Sequence, residues 1–321
     1  MKHKKKIRLL VYTLLSTTLF YSLFSIILFL KLTHIPPNDI QISNKKETIS
    51  FIKTIIPNNT LSKETLRLTP MQINDQYFEL VKLIPDQSKR KKETILIIHG
   101  HSVSKFTPKI FKLAYELYIN DYSVILLDLY PQRIKKHHFT SLGFNESKRV
   151  SILIQHLINS GYKKNHLILY GESLGATTAL LSGIDLNLPT LILDSPFTTI
   201  PQIISNELQK KGIPVFTKHA GLIVGKYLFK IPLYKSDPIP KINKQFSSNI
   251  LLIHSTKDTV VPITHSKRLM SHCQQFSEIG LSKWFHNTEG HCNMMSVNKK
   301  EYINRITQFI EKTKNKINHE K

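Results

Sequence analysis

Residues 66–321 predict an α/β fold with a mostly parallel sheet and helices on both faces, and three observations carry that expectation. Short, β-branched apolar runs at 94–99, 122–130, 166–170, 190–194 and 249–254 suit strands covered on both sides. Helix-length stretches at 105–120, 145–160, 173–184 and 262–276 alternate with them, as repeated β-α units do. An antiparallel hairpin comes first: LRLTPMQI, a turn at Asn74-Asp75, then QYFELVKLIP.

The chain begins with a different kind of segment. Lys2, Lys4, Lys5, Lys6 and Arg8 precede an uncharged apolar run over 9–30, long enough to cross a hydrocarbon core of ~30 Å. The run exceeds the usual core of a cleaved signal, and no small-x-small cleavage site follows it. Residues 1–32 are therefore expected to be a basic cytoplasmic tail and an uncleaved transmembrane signal anchor. The positive-inside tendency leaves the remaining chain on the extracytoplasmic side. Residues 33–65 form a membrane-proximal spacer, stiffened by Pro36-Pro37, with a short amphipathic helix over 45–56 ended by Pro57.

Further along, 86–93 is a polar loop, 283–286 a short strand and 299–314 a closing amphipathic helix. Residues 197–245 do not fit the β-α alternation, and an insert this long carries structure or function. Amphipathic helices at 200–211 and 215–229 make it a helical lid over the carboxyl ends of the strands. Its apolar residues, Phe216, Ile223 and Leu228 among them, suit an apolar substrate as well as ordinary packing.

In a sheet of this kind the site lies beyond the strands' carboxyl ends. Strand 166–170 runs into Gly171-Glu172-Ser173-Leu174-Gly175 and then a helix, the context of a nucleophile elbow. The flanking Gly171 and Gly175 carry no Cβ to collide with neighbouring backbone. Leu174 N–H falls at a helix N-terminus, where a developing oxyanion is stabilised. A serine hydroxyl needs a base within hydrogen-bond reach, and that base needs an acid behind it. Of 15 histidines, His291 follows Gly290 in a loop that returns to the same sheet edge; His286, in the last strand, is the rival. Asp258, just past strand 249–254, is preferred as the acid over Asp194 and Asp128, which suit strand-end turns.

The charge of +23 and pI ≈ 9.8 favour anionic partners, membrane head groups included, or simply a solvated basic surface. No zinc-finger, homeodomain or RNP-type pattern supports nucleic acid, and no metal or cofactor motif is found. Cys273 and Cys292 are expected at opposite ends of the sheet, too far apart for a disulfide.

Taken together, IIHGHS, LLDLY, SLGFNES, YGESLGA, LILDSPF, IHSTKDTVVP and EGHCN resemble the α/β-hydrolase superfamily over residues 66–314. Within it they look like the membrane-tethered α/β-hydrolase-domain group, related to prolyl-oligopeptidase-like and esterase-like serine hydrolases. The resemblance implies Ser173 as nucleophile, Asp258 as acid and His291 as base, with backbone N–H groups of Leu174 and His101 as the oxyanion hole. His101 departs from the small or amide residue expected there, and His254 from a glycine-like strand ending. The implied activity is cleavage of carboxylic esters or thioesters, lipid-like esters included, through an acyl-enzyme. Peptidase or acyltransferase chemistry uses the same residues, and a catalytically silent binding scaffold is the alternative from another class.

Overall fold

The computed structural model describes residues 2–35, 45–58, 61–62, 64–101, 103–130 and 138–319; Pro36, Pro37 and Ser102 lie outside them. A long helix α1 (Lys2–Thr33) leads into a two-residue strand β1 (His34–Ile35), and helix α2 (Lys45–Ile55) follows. The hairpin β2 (Leu66–Ile73) and β3 (Gln76–Leu83) turns at Asn74, whose φ of 50° is the left-handed value such turns need. Then come β4 (Thr94–Ile98), α3 (Pro108–Ile119), β5 (Ser123–Leu127), β6 (His138–Phe139) and α4 (Phe144–Asn159). The elbow pair β7 (Leu167–Glu172) and α5 (Leu174–Leu186) precedes β8 (Thr190–Asp194). The insert contributes α6 (Ile200–Lys210) and α7 (Lys218–Tyr227). The chain closes with β9 (Ser248–Lys257), α8 (Thr264–Cys273), β10 (Ile279–Glu289), α9 (Met294–Val297) and α10 (Lys299–His319).

Eight strands form one sheet in the order β10-β9-β8-β7-β4-β5-β3-β2. From β10 to β5 every neighbour is parallel; β3 and β2 join antiparallel at the other edge. Alternation along the strands divides the core in two. Leu96, Ile98, Leu169, Leu191, Leu193, Ile250 and Leu252 face α4, α5 and α8. Ile95, Ile97, Ile168, Ile192, Leu251 and Ile253 face α3 and α10. The period of two in these runs therefore gives both faces an apolar surface, which is why the sheet is covered twice. Strand order reverses about β4, with β5 on one side and β7 on the other, and this makes the crevice beyond β4 and β7 the expected ligand site.

Several elements differ from the sequence expectation for local physical reasons. Residues 105–107 precede α3 instead of opening it, because the Lys105 N–H and ammonium both bond the Asp128 carboxylate, at 3.0 and 2.5 Å. The second helix of the 197–245 insert is broken into a 3-10 turn, Val215–Thr217, and α7. It ends where Lys230 takes a φ of 55° and Ile231 N–H turns back to the Gly225 carbonyl at 2.8 Å. Strand β10 is far longer than 283–286; it pairs only with β9, and an edge strand half in solvent gives little apolar signal. The β1–β6 pair has no counterpart among the strands expected from the sequence.

The N-terminal helix is long and apolar enough to cross a membrane by length and composition. Residues 4–23 are exposed throughout, while Ser25, Leu28, Phe29 and Thr33 are buried against the globular part. Phe29 stacks on Phe229 at 4.6 Å, and a Cβ on Gly225 of α7 would come within 2.6 Å of the Phe29 ring. The helix is thus packed against α7 by its last three turns.

Candidate active site

A single residue, Ser173, turns the chain from β7 into α5. Its φ of 53° and ψ of −118° are values that a residue with a Cβ rarely adopts, and such strain persists only where the surroundings impose it. Here Ser173 N–H donates to the Asp194 carbonyl at 2.8 Å, and the Ser173 carbonyl accepts from Thr177 N–H at 3.1 Å. The glycines permit the rest. A Cβ on Gly171 would overlap the Gly175 carbonyl, and one on Gly175 would overlap the Ile98 carbonyl oxygen at the end of β4. A Cβ on Gly100 would lie 3.5 Å from the Ser173 Cβ, so the loop after β4 runs directly against the serine.

That loop carries His99 and His101. His99 Nδ1 donates to the Gly100 carbonyl at 2.8 Å and Leu129 N–H approaches its Nε2 at 3.1 Å, so the ring braces the loops after β4 and β5. His101 is partly buried beside Ser173's loop; burial lowers its pKa, and nearby His99 and His34 lower it further against the opposing pull of Glu146. Leu174 opens α5, where backbone N–H groups have no intrahelical acceptor.

The other arm comes from the far edge of the sheet. Asp258 sits in the turn after β9, and its Oδ1 accepts the N–H groups of Val260 and Val261, both at 2.9 Å. Its Oδ2 accepts from His291 Nδ1 at 2.6 Å, with His254 Nε2 at 3.4 Å. Burial pushes the Asp258 pKa up, but the hydrogen bonds from His254, His291 and Val261 outweigh it and hold the carboxyl well below the usual range. His291 lies between Gly290 (φ 90°) and Cys292 (φ 50°) in the tight turn after β10. With Nδ1 donating to Asp258, Nε2 is left as the acceptor. Nε2 lies 3.6 Å from Cys292 Sγ, and among the described residues no hydrogen bond joins His291 to Ser173 Oγ.

The remaining candidates are engaged elsewhere. His286 Nδ1 pairs with Thr288 Oγ1 at 2.6 Å within β10. Asp194 accepts from Tyr302 and Ser195 hydroxyls at 2.7 and 3.0 Å. Asp128 is held to about 2: burial raises it, and Lys105 and His99 lower it by more. Cys273 and Cys292 are both buried and free. Open grooves of about 500 and 520 Å³ lie at the opposite pole, lined by Lys92, Lys163 and His166 at the amino ends of the strands.

Three supporting groups have little signal in the sequence. His254 Nε2 donates to the Val261 carbonyl at 2.8 Å while Nδ1 accepts from Ser266 Oγ at 2.7 Å, bracing the Asp258 turn. Only its place four residues before Asp258 hints at this. Lys109 on α3 pairs with Glu172 at 2.5 Å and donates to the Cys292 carbonyl at 3.0 Å, tying the elbow to the His291 turn. Burial raises the Glu172 pKa, and Lys109 pulls it back down. Glu146 gathers Tyr130 and Thr140 hydroxyls (2.8 Å each) and Ser141 and Gly143 N–H groups (2.9 and 3.0 Å) at the start of α4.

Strand order, the crossover about β4 and a strand–serine–helix turn next to that crossover together define the α/β-hydrolase fold. The chain is similar to an alpha/beta hydrolase domain-containing protein 17B of Xenopus laevis, 24% identical over 152 residues. That match covers 47% of this chain and 43% of the relative, so it spans less than half the relative's length. No protein-family model matches the chain. Among solved structures, the Pyrococcus furiosus esterase Pf2001 superposes with a TM-score of 0.61 at 15% identity, over 86% of this chain and 99% of that one. Est1E from Butyrivibrio proteoclasticus superposes with a TM-score of 0.53 at 15% identity, over 77% of this chain and 98% of the other.

Two predictions test this geometry. Gly175→Ala should destabilise the fold by about 3 kcal/mol or more in urea unfolding, since neither backbone can retreat. Gly280→Ala should cost about 1 kcal/mol or less, because its added methyl meets the Asn249 side-chain amide, which can turn aside. Equal losses would refute the backbone-contact account. For Asp258, a folded pKa below the unfolded value near 3.9 means its stabilisation is present above that pH and lost as pH falls through the folded value. Asp258→Asn should lower stability by about 1–3 kcal/mol at pH 7. The gap to the native protein should close below about pH 4, and a gap independent of pH would contradict the assignment.

Proposed function

We propose that the protein is a membrane-anchored serine hydrolase that cleaves carboxylic esters or thioesters through an acyl-enzyme. One observation carries the reading: a strained serine between strand and helix, at the same carboxyl-end rim of the sheet as a hydrogen-bonded His291–Asp258 pair. The esterase neighbours favour ester substrates among the chemistries open to such a site.

In this reading Ser173 Oγ attacks the substrate carbonyl carbon and His291 Nε2 takes the hydroxyl proton. Asp258 keeps Nδ1 protonated and stabilises the imidazolium. The tetrahedral oxyanion is held by the N–H groups of Leu174 and His101. When the intermediate collapses, the C–O or C–S bond breaks and His291 returns its proton to the leaving group. Water, deprotonated by the same imidazole, then releases the acid and restores Ser173. Gly171, Glu172 and Gly175 shape the elbow, with Glu172 acting through Lys109. No metal or cofactor enters the scheme. To engage, Oγ must rotate about χ1 or the 290–293 turn must shift so that Nε2 leaves Cys292; such contacts tighten when substrate binds.

The anchor is α1, single-pass, with Lys2 to Arg8 on the cytoplasmic side and the hydrolase domain extracytoplasmic. A lipid-like ester suits the apolar lid. The missing Ser173–His291 hydrogen bond favours a second reading, a silent scaffold on the same fold.

A fluorophosphonate probe separates the two. The full chain should label, and Ser173→Ala should abolish labelling while ester turnover falls by about 10⁴-fold or more. A folded native protein that never labels would establish the scaffold instead.

A further inference from the structure

The length of α1 and its packing on α7 together bear on where the bilayer surface falls. The uncharged run of α1 lies between Arg8 and Lys31. At 1.5 Å per residue, filling ~30 Å of hydrocarbon takes about 20 of those residues. Counted from residue 9, the hydrocarbon boundary then falls near residue 28. Yet Leu28 and Phe29 are buried against α7 and the residues after it: a Cβ added to Gly221 would lie 3.8 Å from Leu28, and Phe29 stacks on Phe229. The continuously exposed part of α1 that is also free of charge is 9–23, about 22 Å and short of a span; beyond it only Ile27 of the uncharged run is exposed.

The outer surface of α7 and the turns flanking it carries an apolar patch beside exposed His219 and Lys226. Phe216, Ile223, Tyr227 and Leu228 are 66%, 58%, 70% and 60% exposed. This patch is continuous with α1 through the α1–α7 seam. Exposed Lys226 and Lys230, with Lys31 at the end of α1, rim it as head-group-binding cations do. Tyr227 is of the kind that sits at membrane–water boundaries. The same seam reaches toward the loop after β4: Thr140 N–H donates to the Thr33 carbonyl at 2.8 Å, His34 pairs in register with Phe139, Phe139 packs on Phe229 at 6.0 Å, and His34 is near enough to His101 to lower its pKa.

We propose that α7 lies in the head-group–acyl boundary of the membrane that α1 crosses, with Phe216, Ile223, Tyr227 and Leu228 against lipid, so that the ester substrate reaches Ser173 from the bilayer. The partner is a phospholipid surface carrying anionic head groups. The inference rests on α1 being a membrane span, and it makes the substrate an ester of an amphiphile resident in that leaflet.

The test uses the full chain in vesicles of phosphatidylcholine and phosphatidylglycerol, labelled with bimane at one introduced cysteine. Ile223→Cys and Tyr227→Cys report on α7, Leu15→Cys on the span, and Asp185→Cys on the exposed carboxyl end of α5 at the opposite pole. Native Cys273 and Cys292 are buried, and the protein without an added cysteine gives the background. Nitroxide-bearing lipid should quench the labels at 223 and 227 at least about threefold more than the label at 185, with aqueous iodide showing the reverse order. Iodide quenching at 223 and 227 equal to that at 185, with position 15 still quenched by lipid, overturns the inference and leaves the anchor intact. Iodide quenching at position 15 overturns both. Labels at 223 and 227 reached by neither quencher would mean a second protein copy covers the patch, and that also overturns it. Fluorophosphonate labelling is read separately, so a catalytically silent chain leaves the quenching result for α7 unaffected.

Discussion

Backbone meeting backbone without side chains between them is the constraint on which this molecule turns. At Gly171 and Gly175 the main chains of β4, β7 and α5 approach as closely as carbonyl groups allow. That contact lets one residue reverse the chain from strand to helix. It also fixes Ser173 in its unfavoured conformation and brings the Gly100 loop against it. The tolerance for any added atom is nil at these two points. The sheet, the order of its strands and the two apolar faces serve to deliver three backbone segments to one place.

Around that point the fold buries charge in matched sets. Asp128 faces Lys105, which also reaches Glu79 at 3.2 Å. Glu172 faces Lys109. Glu146 is surrounded by hydroxyl and N–H donors, and Asp258 by two N–H groups and two imidazoles. A buried ion pair returns little net stability over an apolar packing of the same volume, but removing one partner is costly. Each of these carboxylates closes a loop at the carboxyl ends of the strands: after β4, after β5, after β7 and after β9. The arrangement spends stability on loop position at the one pole where position matters.

Much of this was legible in the sequence, and what was not has a physical explanation. Strands β4, β5, β7, β8 and β9 are covered on both faces, so their residues are apolar without interruption and the runs announce them. Edge strand β10 mixes exposed Lys283 and His286 with half-buried Trp284, and only a third of it could be read. The glycines of the elbow were legible because only one residue type fits the contact. Asp258 and His291 could be named from their places beyond strand ends, while the brace from His254 and the strap from Lys109 depend on pairings across the fold. No local pattern encodes a lysine on α3 that bonds a carbonyl 183 residues later. The seating of α1 on α7 was invisible for another reason: an apolar helix reads alike whether its neighbour is lipid or protein.

The hydroxyl relay behind the elbow joins the middle of the chain to its end. Tyr170 on β7 bonds Tyr302 on α10 across 132 residues at 2.7 Å, and Tyr302 bonds Asp194, whose carbonyl receives Ser173 N–H. Closing a loop that long is entropically slow and must await the terminal helix. A polypeptide still emerging during its own synthesis therefore lacks the clasp that steadies Ser173 until Tyr302 has been made and α10 has docked.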